Sequence, residues 1–318
     1  MRNIIFKTIL PIGLICLAGI LLWYGKPYHQ KSKVEVFSSR PDKIKVISTF
    51  SILGDFIHQV GGDRVEVLNI VGPDSDAHIF RPTPRTAQQI VQADMVFMNG
   101  LGFEGWIERQ IEACGFKGPV VIATKGILPS IIVSSKKDKK SHIPDPHAWH
   151  SIRNAKQYIK NILESLIQFD PKHKIEYQKR AKVYLLELQY LDEWAKIQFE
   201  KIPVAQRKVL TAHDAFQYLA KDYNIKFLAP IGISTESEAS AQGVAQLIQQ
   251  IKNESIKAVF IETTTNTKLI EQIADEAKVK IGGTLFSDAL SKPESLGPTY
   301  LKMMHYNISL LIKGMATN

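Results

Sequence analysis

The chain has 318 residues, of which 45% are apolar and 22% charged, a composition typical of a folded globular protein and unlike that of a disordered one. This length exceeds what one hydrophobic core usually organises, so two domains are expected. Lysines and arginines outnumber acidic residues by nine, but apart from residues 136–140 the lysines are scattered, and no nucleic-acid-binding motif accompanies them. A solvated basic surface is therefore favoured over nucleic-acid binding, with a basic face near anionic lipid as the alternative.

Residues 1–24 have the pattern of an export signal. A positively charged start precedes an almost entirely apolar run over residues 8–23. No small-x-small cleavage site follows this run, and Cys16 lies inside it, where it is poorly placed for lipidation. The segment is therefore predicted to be a signal sequence or a retained membrane anchor. Residues 25–43 are a predicted tether, and the folded part is expected in the periplasm or on the extracellular face of the cytoplasmic membrane.

Residues 44–170 are predicted to form a first lobe of alternating strands and helices. Gly61-Gly62 is a helix stop, and Pro84 is a helix start. Strands recur at intervals of roughly 25 residues, the pattern of parallel βαβ units. A lysine-rich segment, residues 127–143, is predicted to be a long polar loop. The predicted strands are 43–49, 65–71, 94–99 and 119–123, and the predicted helices are 52–60, 84–91, 104–114 and 151–169.

Residues 171–203 are predicted to form one connecting helix. Between Pro171 and Pro203 the sequence has no glycine or interior proline, and its apolar residues recur at i, i+3, i+4 and i+7. A helix of about 30 residues would extend roughly 45 Å, long enough to bridge two lobes, although it can also pack inside one domain. A single stiff connector allows small tilts of one lobe and disfavours wide closure. The predicted apolar stripe comprises Ala181, Tyr184, Leu185, Leu188, Leu191, Trp194, Ala195 and Ile202.

Residues 204–318 repeat the alternation and are predicted to form a second lobe. The expected fold class is therefore α/β, with two (β/α) lobes of mainly parallel sheets joined by one long rigid connecting helix. The predicted strands are 208–212, 225–229, 257–261 and a last region from 279, and the predicted helices are 215–223, 240–252, 269–277 and 298–312.

Four potential metal ligands occupy comparable places in this pattern. His78, His147, His213 and Asp288 each lie past a short apolar run that is predicted to be a buried strand. Ligands of open α/β sheets bind in the crevice at the carboxyl ends of the strands. Three imidazoles and one carboxylate would complete a four-coordinate shell for a divalent transition metal. The chain has only two cysteines, which excludes a zinc site built from thiolates.

Other polar residues compete for roles near this site. His150 follows His147 by three residues and can share a helical face with it, but as a helix-start residue it is expected to point into solvent. His142, in the lysine-rich loop, can help to collect metal. Glu262 ends a predicted strand and can either orient a histidine through its other ring nitrogen or pair with a lysine. Two further aspartates, Asp76 and Asp214, flank ligand histidines and are comparable candidates.

Five short motifs together resemble a known family. They are DAH at 76–78, PTP at 82–84, NGLGFEGW at 99–106, DPHAW at 145–149 and AHDAF at 212–216. In combination they resemble the zinc/manganese solute-binding proteins of ABC transporters, the TroA/ZnuA/PsaA type, over about residues 44–313. The resemblance implies two lobes bridged by one rigid helix, with the metal between them. It also implies the ligands His78, His147, His213 and Asp288, the four that strand-end position indicates.

The predicted function is capture of a divalent metal and its delivery to an ABC-transporter membrane permease. Zinc is favoured over manganese, because three imidazoles suit zinc and the divalent affinity order points the same way. A monomer is expected. Four protein ligands leave no open position for catalysis, so an enzyme is not expected. The alternatives are a metal-dependent hydrolase that uses three of these ligands with Glu262 as general base, and a binding protein for a larger chelate such as a siderophore or corrinoid.

Overall fold

The computed structural model describes residues 37–38, 42–136 and 139–318. The predicted signal or anchor segment, residues 1–24, and most of the predicted tether lie outside the described residues. Within the described part, we find no helix whose length and apolar character would let it span a bilayer. Residues Phe37–Asn318 form one compact unit.

The first half of the chain builds a four-stranded parallel sheet in the order β2-β1-β3-β4. Val46 of β1 pairs with Val67 on one side and Met95 on the other. The central strands are buried on both faces, as expected for a parallel sheet covered by helices. The strands are β1 (Ile44–Phe50), β2 (Val65–Val71), β3 (Met95–Met98) and β4 (Val120–Ile122), and the helices are α1 (Ser51–Gly61), α2 (Pro84–Val91), α3 (Ile107–Ala113) and α4 (Ile152–Phe169).

Local sequence signals set the ends of these helices. Helix α1 stops at Gly62, whose φ of 55° is costly for a residue that carries a side chain. Helix α2 starts with Pro84 after Thr83, and Thr83 and Thr86 form a reciprocal capping box. The predicted stop and start are both confirmed, because each depends on contacts within a few residues.

The segment predicted to be a loop over residues 127–143 is a β-hairpin instead. Strand β5 (Ile131–Lys136) pairs antiparallel with β6 (Lys139–Pro144), and Val133 is opposite His142. Ile131 and Ile143 remain 49% and 42% exposed. The sequence of this segment is polar and shows only a weak alternation of apolar and polar residues. Such a pattern predicts a loop rather than a strand pair.

The predicted connecting helix is α5 (Lys174–Glu200), 27 residues and about 40 Å long. A single 3₁₀ turn at Pro171–His173 precedes it, which makes the helix slightly shorter than predicted. Its inner face packs on α1, α4 and the last helix of the chain. Most of the predicted stripe is buried, namely Ala181, Tyr184, Leu188, Leu191, Ala195 and Ile202.

The second half builds another four-stranded parallel sheet, in the order β10-β9-β7-β8. Its topology is the same as that of the first sheet, because β8-β7-β9-β10 corresponds strand by strand to β2-β1-β3-β4. The strands are β7 (Lys208–Leu210), β8 (Lys226–Leu228), β9 (Val259–Glu262) and β10 (Ile281–Leu285), and the helices are α6 (Gln217–Tyr223), α7 (Ala241–Asn253), α8 (Lys268–Ala277) and α9 (Tyr300–Met315).

One hydrophobic core connects the two sheets. Val46 and Phe50 of the first sheet belong to the same buried cluster as Phe216, Phe260 and Leu285 of the second half. A smaller cluster lies between β7, β9, α7 and α8. The loops at the carboxyl ends of both sheets are therefore supported by one shared core.

Candidate metal centre

Each of the four predicted ligands lies in a segment at the carboxyl edge of a sheet. His78 follows β2, His213 follows β7 and Asp288 follows β10. His147 lies between the hairpin and α4. In both sheets the strand order reverses beside the first strand, at β1/β3 and at β7/β9, and a crevice opens at such a switch point.

The structure brings the four side chains into one cluster, with one ligand atom from each lying within 4.8 Å of the others. His78 Nε2 lies 3.1 Å from His147 Nε2, and His147 Nε2 lies 3.6 Å from Asp288 Oδ1. His213 Nε2 lies 3.3 Å from Asp288 Oδ2. Ligand atoms about 2.0–2.1 Å from a tetrahedral ion are about 3.3–3.4 Å apart, and these three separations are close to that value.

Three of the four side chains are completely buried, with His147, His213 and Asp288 each 0% exposed. His78 is partly exposed and is the member nearest to solvent. Among the described residues, Asp288 Oδ1 has no hydrogen-bond partner, and His213 Nε2 and Asp288 Oδ2 have only each other, 3.3 Å apart. A buried polar atom without a partner costs free energy, and a buried charge costs more. A cation at the centre of the cluster would satisfy these atoms.

Two buried carboxylates orient two of the histidines. Asp145 Oδ1 lies 2.8 Å from His147 Nδ1 and accepts the main-chain N–H of His147 at 3.0 Å. Glu262 Oε2 lies 2.5 Å from His213 Nδ1, and Glu262 Oε1 accepts the N–H groups of Ala212 and His213. In both histidines Nδ1 is occupied and Nε2 is directed into the cluster.

His78 is held differently. Its main-chain N–H donates to Asp76 Oδ1 at 2.8 Å. The other oxygen of Asp76 accepts the Thr235 hydroxyl at 2.6 Å, from the loop between β8 and α7. The ring of Phe103 packs edge-on against the His78 ring, with centroids 4.7 Å apart. The loop that carries His78 is therefore tied to a loop of the second half.

The segment around His147 is held by residues far away in sequence. Trp149 Nε1 donates to the carbonyl of Ser287, next to Asp288, at 2.9 Å. Tyr300 Oη donates to the carbonyl of Trp149 at 2.7 Å. On the other side, the Asn99 amide donates to the carbonyl of Pro146 at 2.9 Å. These bonds set the positions of two ligand segments relative to each other.

The histidines differ in charge state. Burial lowers the pKa of His78 to about 4 and that of His147 to about 3, so both are neutral near pH 7. Burial also disfavours charge on His213, but the carboxylates of Glu262 and Asp288 outweigh it and hold the pKa of His213 well above its usual value. Burial opposes the ionisation of Asp288, but His213 and the other histidines hold the Asp288 pKa well below its ordinary range.

The competing residues have other positions. His150 is 0% exposed and packs against Phe216 with ring centroids 4.4 Å apart and planes tilted by 40°, so the expectation that it points into solvent is wrong. It faces the apolar side of the segment because the 3₁₀ turn at Ala148–His150 rotates it inward. His142 is exposed on strand β6 and is not in the cluster. Asp214 accepts a hydrogen bond from Gln217.

The contact of Asp145 with His147 was not predicted, because an Asp-Pro pair also predicts a turn. A local signal existed. Asp76 and Asp145 both stand two residues before a ligand histidine, and each accepts that histidine's main-chain N–H in an Asx-type turn. Glu262, for which two roles were open, orients His213.

A family model and the relatives of known sequence point to the same protein family. The family model described as the periplasmic zinc-uptake complex component A, ZnuA, matches residues 46–314. The chain is 34% identical over 277 residues to the iron-binding protein YfeA of Yersinia pestis, covering 87% of this chain and 88% of that protein.

Solved structures agree. The periplasmic zinc-binding protein TroA of Treponema pallidum superposes with a TM-score of 0.79 at 28% identity, over 86% of this chain and 99% of that one. A manganese-bound point mutant of a periplasmic metal-binding protein from Candidatus Liberibacter asiaticus gives 0.78 at 33% identity, over 85% and 99%. The predicted two-lobe α/β fold is confirmed. Members of this family are substrate-binding proteins rather than enzymes. The chain belongs to the ZnuA/TroA/PsaA family of solute-binding proteins of metal ABC transporters.

Proposed function

We propose that this protein captures a divalent transition metal ion outside the cytoplasm, with His78, His147, His213 and Asp288 as its ligands, and delivers it to the membrane permease of an ABC importer. The observation that carries the proposal is the convergence of four ligand atoms within 4.8 Å, three of them on completely buried side chains. Asp288 Oδ1, which has no hydrogen-bond partner among the described residues, lies 3.6 Å from His147 Nε2 in this cluster.

Zinc is the proposed ion, with manganese as the alternative. Three imidazoles and one carboxylate suit a borderline ion better than a hard one, and zinc stands above manganese and iron(II) in the divalent affinity order. The names of the relatives include iron, zinc and manganese. Because these names differ in the metal, the affinity order alone does not decide the ion, and geometry and metal supply can override it. A direct competition between zinc and manganese is the test.

The proposed organisation follows the two sheets. Residues 44–170 form the first metal-binding lobe, residues 171–203 the connector and residues 204–318 the second lobe. Since His78 and His147 come from the first lobe and His213 and Asp288 from the second, a bound ion joins the two. A stiff connecting helix favours small tilts between metal-free and metal-loaded shapes, which a permease can distinguish. We also propose that the protein is a monomer, and that residues 1–24, if they are retained, hold it at the membrane.

A hydrolytic role has little support in the geometry. The proposed general base, Glu262, accepts bonds from two main-chain N–H groups, and its second oxygen lies 2.5 Å from His213 Nδ1. A carboxylate with all these partners is not free to accept a proton from water. Four converging ligands also leave no vacant position for a substrate.

The decisive experiment is metal analysis of the purified full chain. We expect close to one zinc or manganese ion per chain, loss of stoichiometric metal in His147→Ala and in His213→Ala, and stronger binding of zinc in a competitive titration against manganese. His142→Ala is the matched control, because His142 is an exposed histidine outside the cluster. If both ligand variants keep full metal content, the site assignment is wrong, and if manganese displaces zinc, the choice of metal is wrong.

A further inference from the structure

A groove of about 670 Å³ lies in the second half of the chain, away from the metal centre. Its walls are the carboxyl ends of α7, α8 and α9, and its base includes Ile281 at the start of β10. Ile281 is at the amino end of that strand, whereas Asp288 follows the carboxyl end. The groove and the metal centre are therefore on opposite edges of one sheet.

Five lysines from four segments converge on this groove, and none of its other lining residues is acidic or aromatic. All five side chains are exposed. Within the described part of the chain, none of their amines has a carboxylate within 4.0 Å or a side-chain hydrogen bond. The nearby Glu254 is already paired with Lys208 and Lys226. The five are Lys252, Lys257, Lys278, Lys280 and Lys313.

The floor of the groove is apolar. Ile251 and Ile256 are almost completely buried beneath it, and Val279 and Ile281 are half-buried at its surface. Lysine stems cover apolar surface while their amines stay in water. The result is an apolar slot with a positively charged rim.

This combination selects one kind of ligand. Five unpaired ammonium groups favour an anion, and a slot of this volume is in the size range of small-molecule sites. A free inorganic anion would leave the apolar floor exposed to water. A nucleic acid would lack aromatic rings on which its bases could stack.

We propose that the groove binds a single-chain anionic amphiphile, with the acyl chain on the apolar floor and the anionic head among the lysines. A free fatty acid and a single-chain anionic phospholipid share this chemistry. Because the groove is remote from the cluster, binding there is a second function that does not depend on the metal.

The test is a titration of the full chain with oleate below its critical micelle concentration, followed by calorimetry. We expect saturable binding at one site, weakened about tenfold or more in the double variant Lys280→Glu/Lys313→Glu. The matched control is Lys179→Glu/Lys182→Glu on exposed positions of α5, which should bind oleate like the unchanged chain. Any binding by residues 1–24 is common to all three proteins, so the difference between them reports the groove.

Two further measurements make the result specific. Lysophosphatidylglycerol, in place of oleate, distinguishes the two sources: tighter binding of this lipid assigns a phospholipid, and tighter binding of oleate assigns a fatty acid. Metal content should be unchanged in the double variant, which shows that it is folded. The proposal is overturned if oleyl alcohol or lysophosphatidylcholine binds as tightly as the anionic ligands, or if charge reversal leaves oleate binding unchanged.

Discussion

At the scale of single residues, His213 differs from the other two histidines of the cluster. It lies between the carboxylates of Glu262 and Asp288, which hold its pKa well above 6.5. These carboxylates therefore favour the protonated imidazole of His213 in the metal-free protein. An incoming ion must displace that proton, because a ligating imidazole nitrogen has no hydrogen.

The sign of the pH dependence follows. Because the pKa of His213 is raised, protons compete with the metal for its ring nitrogen already near neutral pH. The affinity for the metal therefore falls as the pH falls. Between pH 7 and 5 we expect affinity to drop by up to about tenfold per pH unit for the proton that leaves His213. Burial raises the pKa of Asp145, beside His147, to about 7, so this carboxyl titrates in the same range. His78 and His147, with pKa values of about 4 and about 3, remain neutral over this range and add steepness only below it.

Competition titrations at pH 5, 6 and 7 measure this slope, and calorimetry in buffers of different ionisation enthalpy counts the protons released. Glu262→Gln removes one of the two carboxylates and should lower both the proton count and the slope. An affinity that does not change between pH 5 and 7 would contradict a protonated His213.

At the scale of elements, the loop carrying His78 is tied to the β8–α7 loop by the bond from Thr235 to Asp76. His78 is the partly exposed member of the cluster, so we expect its loop to move when an ion enters or leaves. A net contribution of about 1 kcal/mol for this bond corresponds to about fivefold in rate. Thr235→Val should therefore release metal about fivefold faster without loss of stoichiometry.

Stopped-flow transfer of metal to a chelator measures that rate. Thr235→Ser keeps the hydroxyl and is the matched control, expected to release metal like the unchanged chain. Equal release rates for the valine and serine variants would show that the bond does not restrain the loop.

The connecting helix offers a second test at this scale. Leu188 on α5 is 0% exposed, whereas Leu186, two residues earlier, is 46% exposed. Leu188→Ala should lower the free energy of unfolding by about 2–5 kcal/mol through lost burial and a cavity. Leu186→Ala should change it by less than about 0.5 kcal/mol. Urea unfolding of the metal-free chain compares the two, and equal losses would contradict the observed orientation of the helix.

At the scale of the whole molecule, the cluster takes side chains from both halves, and one core connects both sheets. A bound ion should therefore stabilise residues 44–318 together, in one unfolding transition. At a free metal concentration about 1,000 times the dissociation constant, the free energy of unfolding should rise by about 4 kcal/mol. Thermal unfolding with and without zinc measures this.

Asp288→Ala provides the control for that measurement, because it removes the only carboxylate of the cluster. Its transition should not respond to zinc. Two separate transitions in the unchanged chain, of which only one shifts with zinc, would show that the ion stabilises one half alone.

Much of this molecule could be predicted from short stretches of sequence. Strand β2 was predicted at its observed bounds, and the ends of α1 and α2 depend on Gly62 and Pro84, whose conformational effects are local. Three of the four clustered side chains, His78, His213 and Asp288, follow strands of the parallel sheets, and the strand ends of such a sheet share one edge. His147 was found as well, although it follows the antiparallel hairpin. The hairpin was missed because its sequence is polar and lysine-rich, and Ile131 and Ile143 stay largely exposed.

The sequence alone therefore determined the type and order of most elements and which side chains approach one another. Only the tertiary structure decided how those side chains are oriented. Glu262 orients His213 across 49 positions, and Trp149 bonds to Ser287 across 138 positions. Such bonds join residues that are distant in the chain, and no local pattern of apolar and polar residues encodes which distant groups will meet.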